Sequence, residues 1–249
     1  MSLRESDPEL VFANGEGARG VAAAGARAIF DGVWRELQEE RGSAGLLFPG
    51  EIFWLNGAPG SGKGTNTEFI MRERRYEGVP IVVSDLLHDP RARRLMDAGG
   101  LVGDREVLAL LLRKLLDPQF RAGAVVDGFP RTQTQVDFLR MFFGRLNTLH
   151  SAVPRFHILV LFVDEEESVR RQLKRGREAL ASGGAAAKNV RKTDLDPGLA
   201  RGRYRVFMEQ TFAPLQTLRS IFACHLIEAH GSVDDVRRRI AAGLAGAAA

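Results

Sequence analysis

The stretch Asn56-Gly57-Ala58-Pro59-Gly60-Ser61-Gly62-Lys63-Gly64-Thr65 constrains this chain more than any other. Before it runs Glu51-Ile52-Phe53-Trp54-Leu55, an apolar run that reads as a buried strand. After it, Asn66 to Arg74 has helical spacing, with Phe69 and Ile70 as apolar contacts. Strand, glycine loop and helix in that order make a cradle for anions. Glycines let consecutive N–H groups turn into one hollow, and the helix start adds free N–H groups and the positive end of its dipole. Lys63 adds a mobile charge. Gly57, Pro59, Gly60, Ser61, Gly62, Lys63, Gly64 and Thr65 are therefore candidate polyphosphate ligands. The competing reading is a chance glycine turn in a chain with 27 glycines; the flanking strand and helix favour phosphate.

The rest of the chain alternates. Strand candidates are Ile81–Val83, Ala124–Val126, His157–Val163 and Ile221–Ile227. Between them lie helical stretches: a short one in Leu86–Met96, then Asp104–Leu116 with Asp104 as its cap, Gln133–Phe143, Glu165–Arg177, Leu199–Phe212 and Val233–Ala242. Alternation of this kind predicts an α/β fold of three layers, α/β/α, around a central parallel sheet. Ligands in such folds sit at the carboxyl ends of the strands. The loop at Gly57–Thr65, Ser84-Asp85, Asp127–Arg131 and Asp164 all follow strand candidates and are expected on one rim. Residues 1–50 carry turn signals at Asp7-Pro8 and Asn14-Gly15. From about Ala18 to Glu40, Val21, Ile29, Val33, Trp34 and Leu37 predict one amphipathic helix closed by Gly42 and Gly45. That helix is either docked on the catalytic body or a partner or regulatory segment.

A length of 249 residues suits one α/β domain with small insertions, and 45% apolar with 27% charged residues suits a soluble globular protein. The net charge of +4 is modest and points to anionic small molecules rather than nucleic acid. Cys224 is the lone cysteine, so an intramolecular disulfide and a thiolate zinc cluster are both excluded. No apolar run reaches the roughly 18 residues of a bilayer span, and Met1–Glu9 lacks a hydrophobic signal core. The expectation is a cytoplasmic monomer, away from membranes.

Moving a phosphoryl group between two phosphates asks for in-line positioning and for fixed cations that spread the charge. Asp127 closes an apolar strand, where it either orients water on Mg²⁺ or caps the next turn. Arg131 follows Gly128-Phe129-Pro130 on the same rim; the bland alternative is a solvated arginine. Arg171 and Arg175 are four residues apart and share a helix face, where their repulsion argues for an anion between them. Arg191 and Arg203 flank the far side of an alanine-rich loop and could close on the same phosphates.

Together these motifs resemble the adenylate kinases and the wider nucleoside monophosphate kinases. Gly57-Ala58-Pro59-Gly60-Ser61-Gly62-Lys63-Gly64-Thr65 looks like their P-loop, including the glycine after lysine. Asp97-Ala98-Gly99-Gly100-Leu101-Val102 with Asp104 resembles a second family segment, and Asp127-Gly128-Phe129-Pro130-Arg131-Thr132 with Gln135 a third. Leu173-Lys174-Arg175-Gly176 is similar to the start of the family's lid, and Glu209-Gln210-Thr211 with Pro214 to the helix after it.

The resemblance covers about residues 51–230 and implies transfer of the γ-phosphoryl of Mg·ATP to a nucleoside monophosphate, AMP first; the alternatives are UMP, CMP or another acceptor, or a nucleotide-binding module with little turnover. It implies that the P-loop residues and Arg171 hold ATP. Lys63, Arg131, Arg171, Arg175, Arg191 and Arg203 are its catalytic cations. Ser84, His88, Val102, Gly128, Arg131 and Gln135 form its acceptor site, and Asp127 holds Mg²⁺ through water. It also implies an acceptor-binding insertion near 84–104, a short lid near 175–200 without structural zinc, and an N-terminal extension over residues 1–50. The chain departs from the pattern where the family carries an arginine on the acceptor phosphate: Ser84-Asp85-Leu86-Leu87 is followed by His88. Arg91 or Arg93 are the candidates to replace it.

Overall fold

The computed structural model describes residues 8–87, 103–149, 154–184 and 190–246. Its core strand is β1 (Glu51–Gly57), in which all seven residues are buried. The others are β2 (Ile81–Val82), β3 (Ala124–Asp127), β4 (Arg155–Phe162) and β5 (Ala223–Glu228). They form one parallel sheet in the order β2-β3-β1-β4-β5. From the central β1 the chain passes to the edge strand β2, returns to β3 beside β1, and then crosses to β4 and β5 on the other side. The register places Leu55, Asp127 and Val82 in one row, so β1, β2 and β3 end at nearly the same level. That common end is where a doubly wound fold leaves a crevice.

The helices are α1 (Pro8–Arg41), α2 (Lys63–Glu73), α3 (Val83–Leu86), α4 (Asp104–Leu115), α5 (Gln133–Leu149), α6 (Glu165–Ser182), α7 (Pro197–Val206), α8 (Ala213–Gln216) and α9 (Val233–Gly246). Strand side chains alternate between two helical layers. Trp54 and Phe156 point one way, where both meet Phe142 of α5. Phe53 and His157 point the other way and stack at 4.5 Å beneath Arg74 and Tyr76. α1, α4 and α5 pack together in the first layer, α2 and α9 in the second. The expected three-layer α/β/α architecture with a parallel sheet is the one observed.

Several boundaries differ from the sequence reading, each for a local reason. The helix before β1 spans Pro8–Arg41, so Asn14-Gly15 lies inside it rather than in a turn. A helical glycine costs about 1 kcal/mol relative to alanine, and the alanine-rich flanks offset it. The strand at Ile81 stops at Val82, and Val83, Ser84 and Asp85 already belong to α3. Asp104 is the first residue of α4 rather than its cap; Gly103 caps it, donating its N–H to Glu106 at 3.1 Å. The expected helix Leu199–Phe212 is α7 followed by a wide π-turn at Phe207–Phe212. Asp97–Val102, His88, Arg91 and Arg93 lie outside the described residues.

Candidate active site

The glycine loop owes its shape to close approach. A Cβ on Gly57 would lie 2.5 Å from the Leu161 carbonyl, so only glycine lets β1 end against β4 there. Gly60 and Gly62 take φ of +74° and +85°, the left-handed region that side chains disfavour. The Ser168 hydroxyl of α6 pins the loop by donating to the Pro59 carbonyl at 2.7 Å. α2 starts at Lys63, and the N–H groups of Lys63, Gly64 and Thr65 have no partner one turn earlier. The Lys63 ammonium folds back over the loop and donates to the carbonyls of Gly57 (2.8 Å) and Ala58 (3.4 Å). It is thereby poised above a hollow lined by amides.

Across the crevice, the turn after β3 places Arg131. A Cβ on Gly128 would sit 2.3 Å from the Arg131 guanidinium, so the glycine makes room for the arginine to lie across the strand end. The backbone of Arg131 is held from both sides: its N–H donates to Gln135 Oε1 at 2.8 Å, and its carbonyl accepts from Thr211 Oγ1 at 2.9 Å. From the third side come α6, the turn Lys192–Asp194 and α7. Arg175 donates two hydrogen bonds to the buried Asp194 carboxylate, at 2.6 and 3.0 Å, and Arg203 lies 3.8 Å from the same carboxylate. Arg191 precedes that turn.

These groups line a single crevice of about 520 Å³: Gly57, Pro59, Gly60 and Gly62–Thr65 of the loop, with Ser84, Asp127, Gly128, Arg131, Arg175, Arg191 and Arg203. The crowding shows in their protonation. Burial pushes the Lys63 ammonium down to about 8, with Arg131, Arg203 and Arg175 adding repulsion against the pull of Asp127. Burial and the neighbouring Arg191 and Arg175 push Arg203 down to about 10. Burial raises Asp127 above the usual carboxylate range, opposed by Lys63 and Arg131. A site in which cations depress one another is built for an anion of high charge.

Not every sequence candidate reaches the crevice. Ser61 is buried within the loop, and its hydroxyl does not line the hollow. Arg171 does not line it either: its guanidinium pairs with Glu167 at 2.6 Å and reaches the Gly60 carbonyl at 3.5 Å. The repulsion expected between Arg171 and Arg175 is thus answered by two separate carboxylates, Glu167 and Asp194. Gln135 is buried behind Arg131, with its Nε2 donating to Asp104 at 2.7 Å. Asp164 caps α6 and pairs with His230 instead of joining the rim. His88 and Val102 lie outside the described residues. Asn56, Val82, Val206, Phe207 and Thr211 line the crevice without having been singled out. Asp194, buried behind Arg175 and Arg203 rather than in the lining, was not singled out either; its only sequence signal was a carboxylate between Arg191 and Arg203.

A metal would have to suit this lining. Among the described residues no group of three His, Cys, Asp or Glu side chains gathers around one point. Among the described lining residues Asp127 is the carboxylate that acts on Lys63 of the loop. That set suits an ion carried by phosphate oxygens and water, as Mg²⁺ prefers, rather than a cage built from protein.

Comparisons with known proteins agree with the geometry. A family model described as an AAA domain matches residues 56–182. An adenylate kinase from Deinococcus radiodurans is 32% identical over 197 residues, 76% of this chain and 93% of the relative. One from Xanthobacter autotrophicus is 32% identical over 203 residues, 78% of this chain and 98% of the relative. One from Methylobacterium radiotolerans is 36% identical over 171 residues, 65% of this chain and 78% of the relative. With nearly the full length of such relatives matched, and the loop and arginines gathered in one crevice, the chain belongs to the adenylate kinase family.

Proposed function

We propose that the enzyme transfers the γ-phosphoryl group of Mg·ATP to AMP, giving two ADP, with the two nucleotides meeting in the crevice between the loop and Arg131. The observation that carries this is the convergence of Lys63, Arg131, Arg175, Arg191 and Arg203 on one hollow, although they lie far apart in sequence. The loop amides and Lys63 hold the donor phosphates. Arg131 holds the acceptor phosphate, with Gly128 and Ser84 beside it.

In the reaction an oxygen of the acceptor phosphate attacks the γ-phosphorus, and the bond to the β–γ bridging oxygen breaks. Its electron pair leaves with ADP. A phosphate monoester has lost most of its second proton by pH 7, its second pKa being about 6. The chemistry therefore asks for cations around a moving charge more than for a base. Arg175 and Arg203 supply them, delivered by α6 and α7, and Arg191 joins from the turn between. Asp127 would hold Mg²⁺ through water, and the ion would supply positive charge to offset the charge on the leaving group. Arg171, against Gly60, guards the outer edge of the donor side once nucleotide competes with Glu167 for it.

The acceptor is tested by a coupled assay with Mg·ATP and AMP, UMP, CMP or GMP in turn. Turnover highest with AMP is expected. A folded protein that turns over none of the four refutes the kinase reading, and a preference for UMP or CMP refutes the acceptor. The same reading expects a cytoplasmic monomer, and sedimentation at working concentration tests the monomer.

A further inference from the structure

We infer that Glu36 and Glu40 of α1 are positioning residues for the acceptor site: they hold α4, and through Asp104 and Gln135 they set where Arg131 sits. The inference rests on the acceptor reading of Arg131. α1 has an apolar stripe of Ala26, Phe30, Val33, Trp34 and Leu37, all buried. Trp34 stacks on Phe30 and Phe48 at 5.8 and 5.7 Å and meets Phe142 of α5 at 6.4 Å. That packing fixes α1 to the body of the protein.

Toward α4 the contact carries charge as well as apolar packing: Arg113 donates to the Glu40 carboxylate at 2.5 and 3.0 Å and lies 3.6 Å from Glu36, which also pairs with Arg105. Arg105 adjoins Asp104, the residue that opens α4. Asp104 accepts from Gln135 Nε2 at 2.7 Å, and Gln135 Oε1 accepts the N–H of Arg131 at 2.8 Å. α4 also packs on α3, which carries Ser84 into the crevice. Among the described residues α4 itself contributes nothing to the lining. It bears on the acceptor side only by where it lies; its buried leucines seat it on the core, and the carboxylates of α1 fix it at Arg105 and Arg113 within that seat. Half-exposed ion pairs add little to global stability, so their effect is expected in geometry. α1 also carries an internal control: Asp31 pairs at 2.9 Å with Arg145 of α5 and leaves α4 untouched.

The test uses the full chain with Glu36→Lys and Glu40→Lys together, which turns the attractions to Arg105 and Arg113 into repulsions. KM for AMP is expected to rise about tenfold, with KM for ATP within twofold and kcat within threefold. Adding Arg105→Glu and Arg113→Glu should bring KM for AMP back to within threefold of wild type. Asp31→Lys should leave it within twofold. Hydrogen exchange across α4 and at Gln133–Gln135 should quicken in the double variant. An unchanged KM for AMP in a normally folded variant, an equal rise for both nucleotides, or an equal effect of Asp31→Lys overturns the proposal. Should the reversal unfold the protein, Glu36→Gln with Glu40→Gln decides it, about threefold in KM being expected and no change refuting it. If the wild type does not phosphorylate AMP, the acceptor reading fails by itself; unchanged exchange at α4 and Gln133–Gln135 still refutes the brace.

Discussion

Replacing Gly176 by alanine tests how the arginines are delivered. Gly176 lies in α6, directly after Arg175, and its face is covered by the turn Lys192–Asp194. A Cβ there would stand 2.0 Å from the Asp194 carbonyl oxygen. An ordinary carbon–oxygen contact needs roughly 3.3 Å, so the turn must retreat by roughly 1.3 Å. The Asp194 carboxylate moves with its backbone, and its hydrogen bonds to Arg175, at 2.6 and 3.0 Å, cannot survive that shift. A misplacement of about 1 Å in a preorganised site can cost ~100-fold. Stability is nearly balanced: alanine adds up to ~1 kcal/mol of helix propensity, while overpacking costs about 1–3 kcal/mol. The net loss of 0 to ~2 kcal/mol lowers Tm by at most ~8 °C in a chain of this size. The expected result is a fall in kcat between ~10-fold and ~100-fold in a protein that still melts cooperatively. A variant that keeps half its kcat and melts a few degrees higher would show only the propensity gain, and would refute the close contact of turn and helix.

Three further outcomes follow from the site and the sheet. Lys63→Met and Arg131→Ala are each expected to lower kcat at least ~100-fold, the scale of losing a preorganised charge; a loss below tenfold counts against their roles. With Lys63 pushed down to about 8, kcat/KM for ATP should decline above that pH, while kcat holds to higher pH because bound phosphates keep the lysine charged. The stability sign runs the other way: the buried charge disfavours folding below pH 8, and the penalty lifts as pH rises from there toward 10.5. At the opposite end of the sheet, Glu51 is buried beside His157, Tyr76, Arg74 and Arg155. Burial alone would raise it, but hydrogen bonds from His157, Tyr76 and Arg74 hold it near 2 against an ordinary 4.5. That difference corresponds to about 3 kcal/mol. Glu51→Gln should therefore cost about that much at pH 7, and the gap to wild type should close as pH falls from 4.5 toward 2. Urea midpoints at pH 7 and pH 3 read it, and a gap independent of pH refutes it.

The sheet and its rim were legible because they rest on local pattern. Apolar runs marked β1, β3 and β4, and the glycines of the loop announced φ values that other residues avoid. The convergence of Lys63 with Ser84 and Arg131 followed from one rule, that strands of a parallel sheet end on a common side. Partnership was not legible. Helical spacing put Arg171 and Arg175 on one face, but their partners differ: Glu167 is one turn away and Asp194 lies in the turn Lys192–Asp194. Gln135 could be placed near Arg131 by proximity in sequence, yet the tertiary packing of α4 decides that Asp104 takes its amide. The charges by which α1 grips α4 were equally hidden, since an amphipathic pattern marks the apolar side of α1 and says nothing of which cations Glu36 and Glu40 meet.

The crevice also shows how a chain of modest net charge can offer a strongly cationic site. Its lining brings together Lys63, Arg131, Arg175, Arg191 and Arg203, with Asp127 as the one carboxylate among the lining residues. Such a concentration of like charge opposes folding unless something neutralises it. Asp194 does so for Arg175 and Arg203, Asp127 for Lys63 and Arg131, and Glu167 for Arg171 just outside. Each of these carboxylates offers its arginine an alternative to a phosphate oxygen. Binding is therefore an exchange of partners, in which a nucleotide must draw the guanidinium groups from carboxylates that already hold them. Asp194→Asn frees Arg175 and Arg203 from that competition. It should tighten ATP binding while lowering kcat, because the arginines lose the anchor that aims them. Calorimetry on the folded variant showing weaker ATP binding would mean that Asp194 only supports the turn, and the exchange would not be what governs binding.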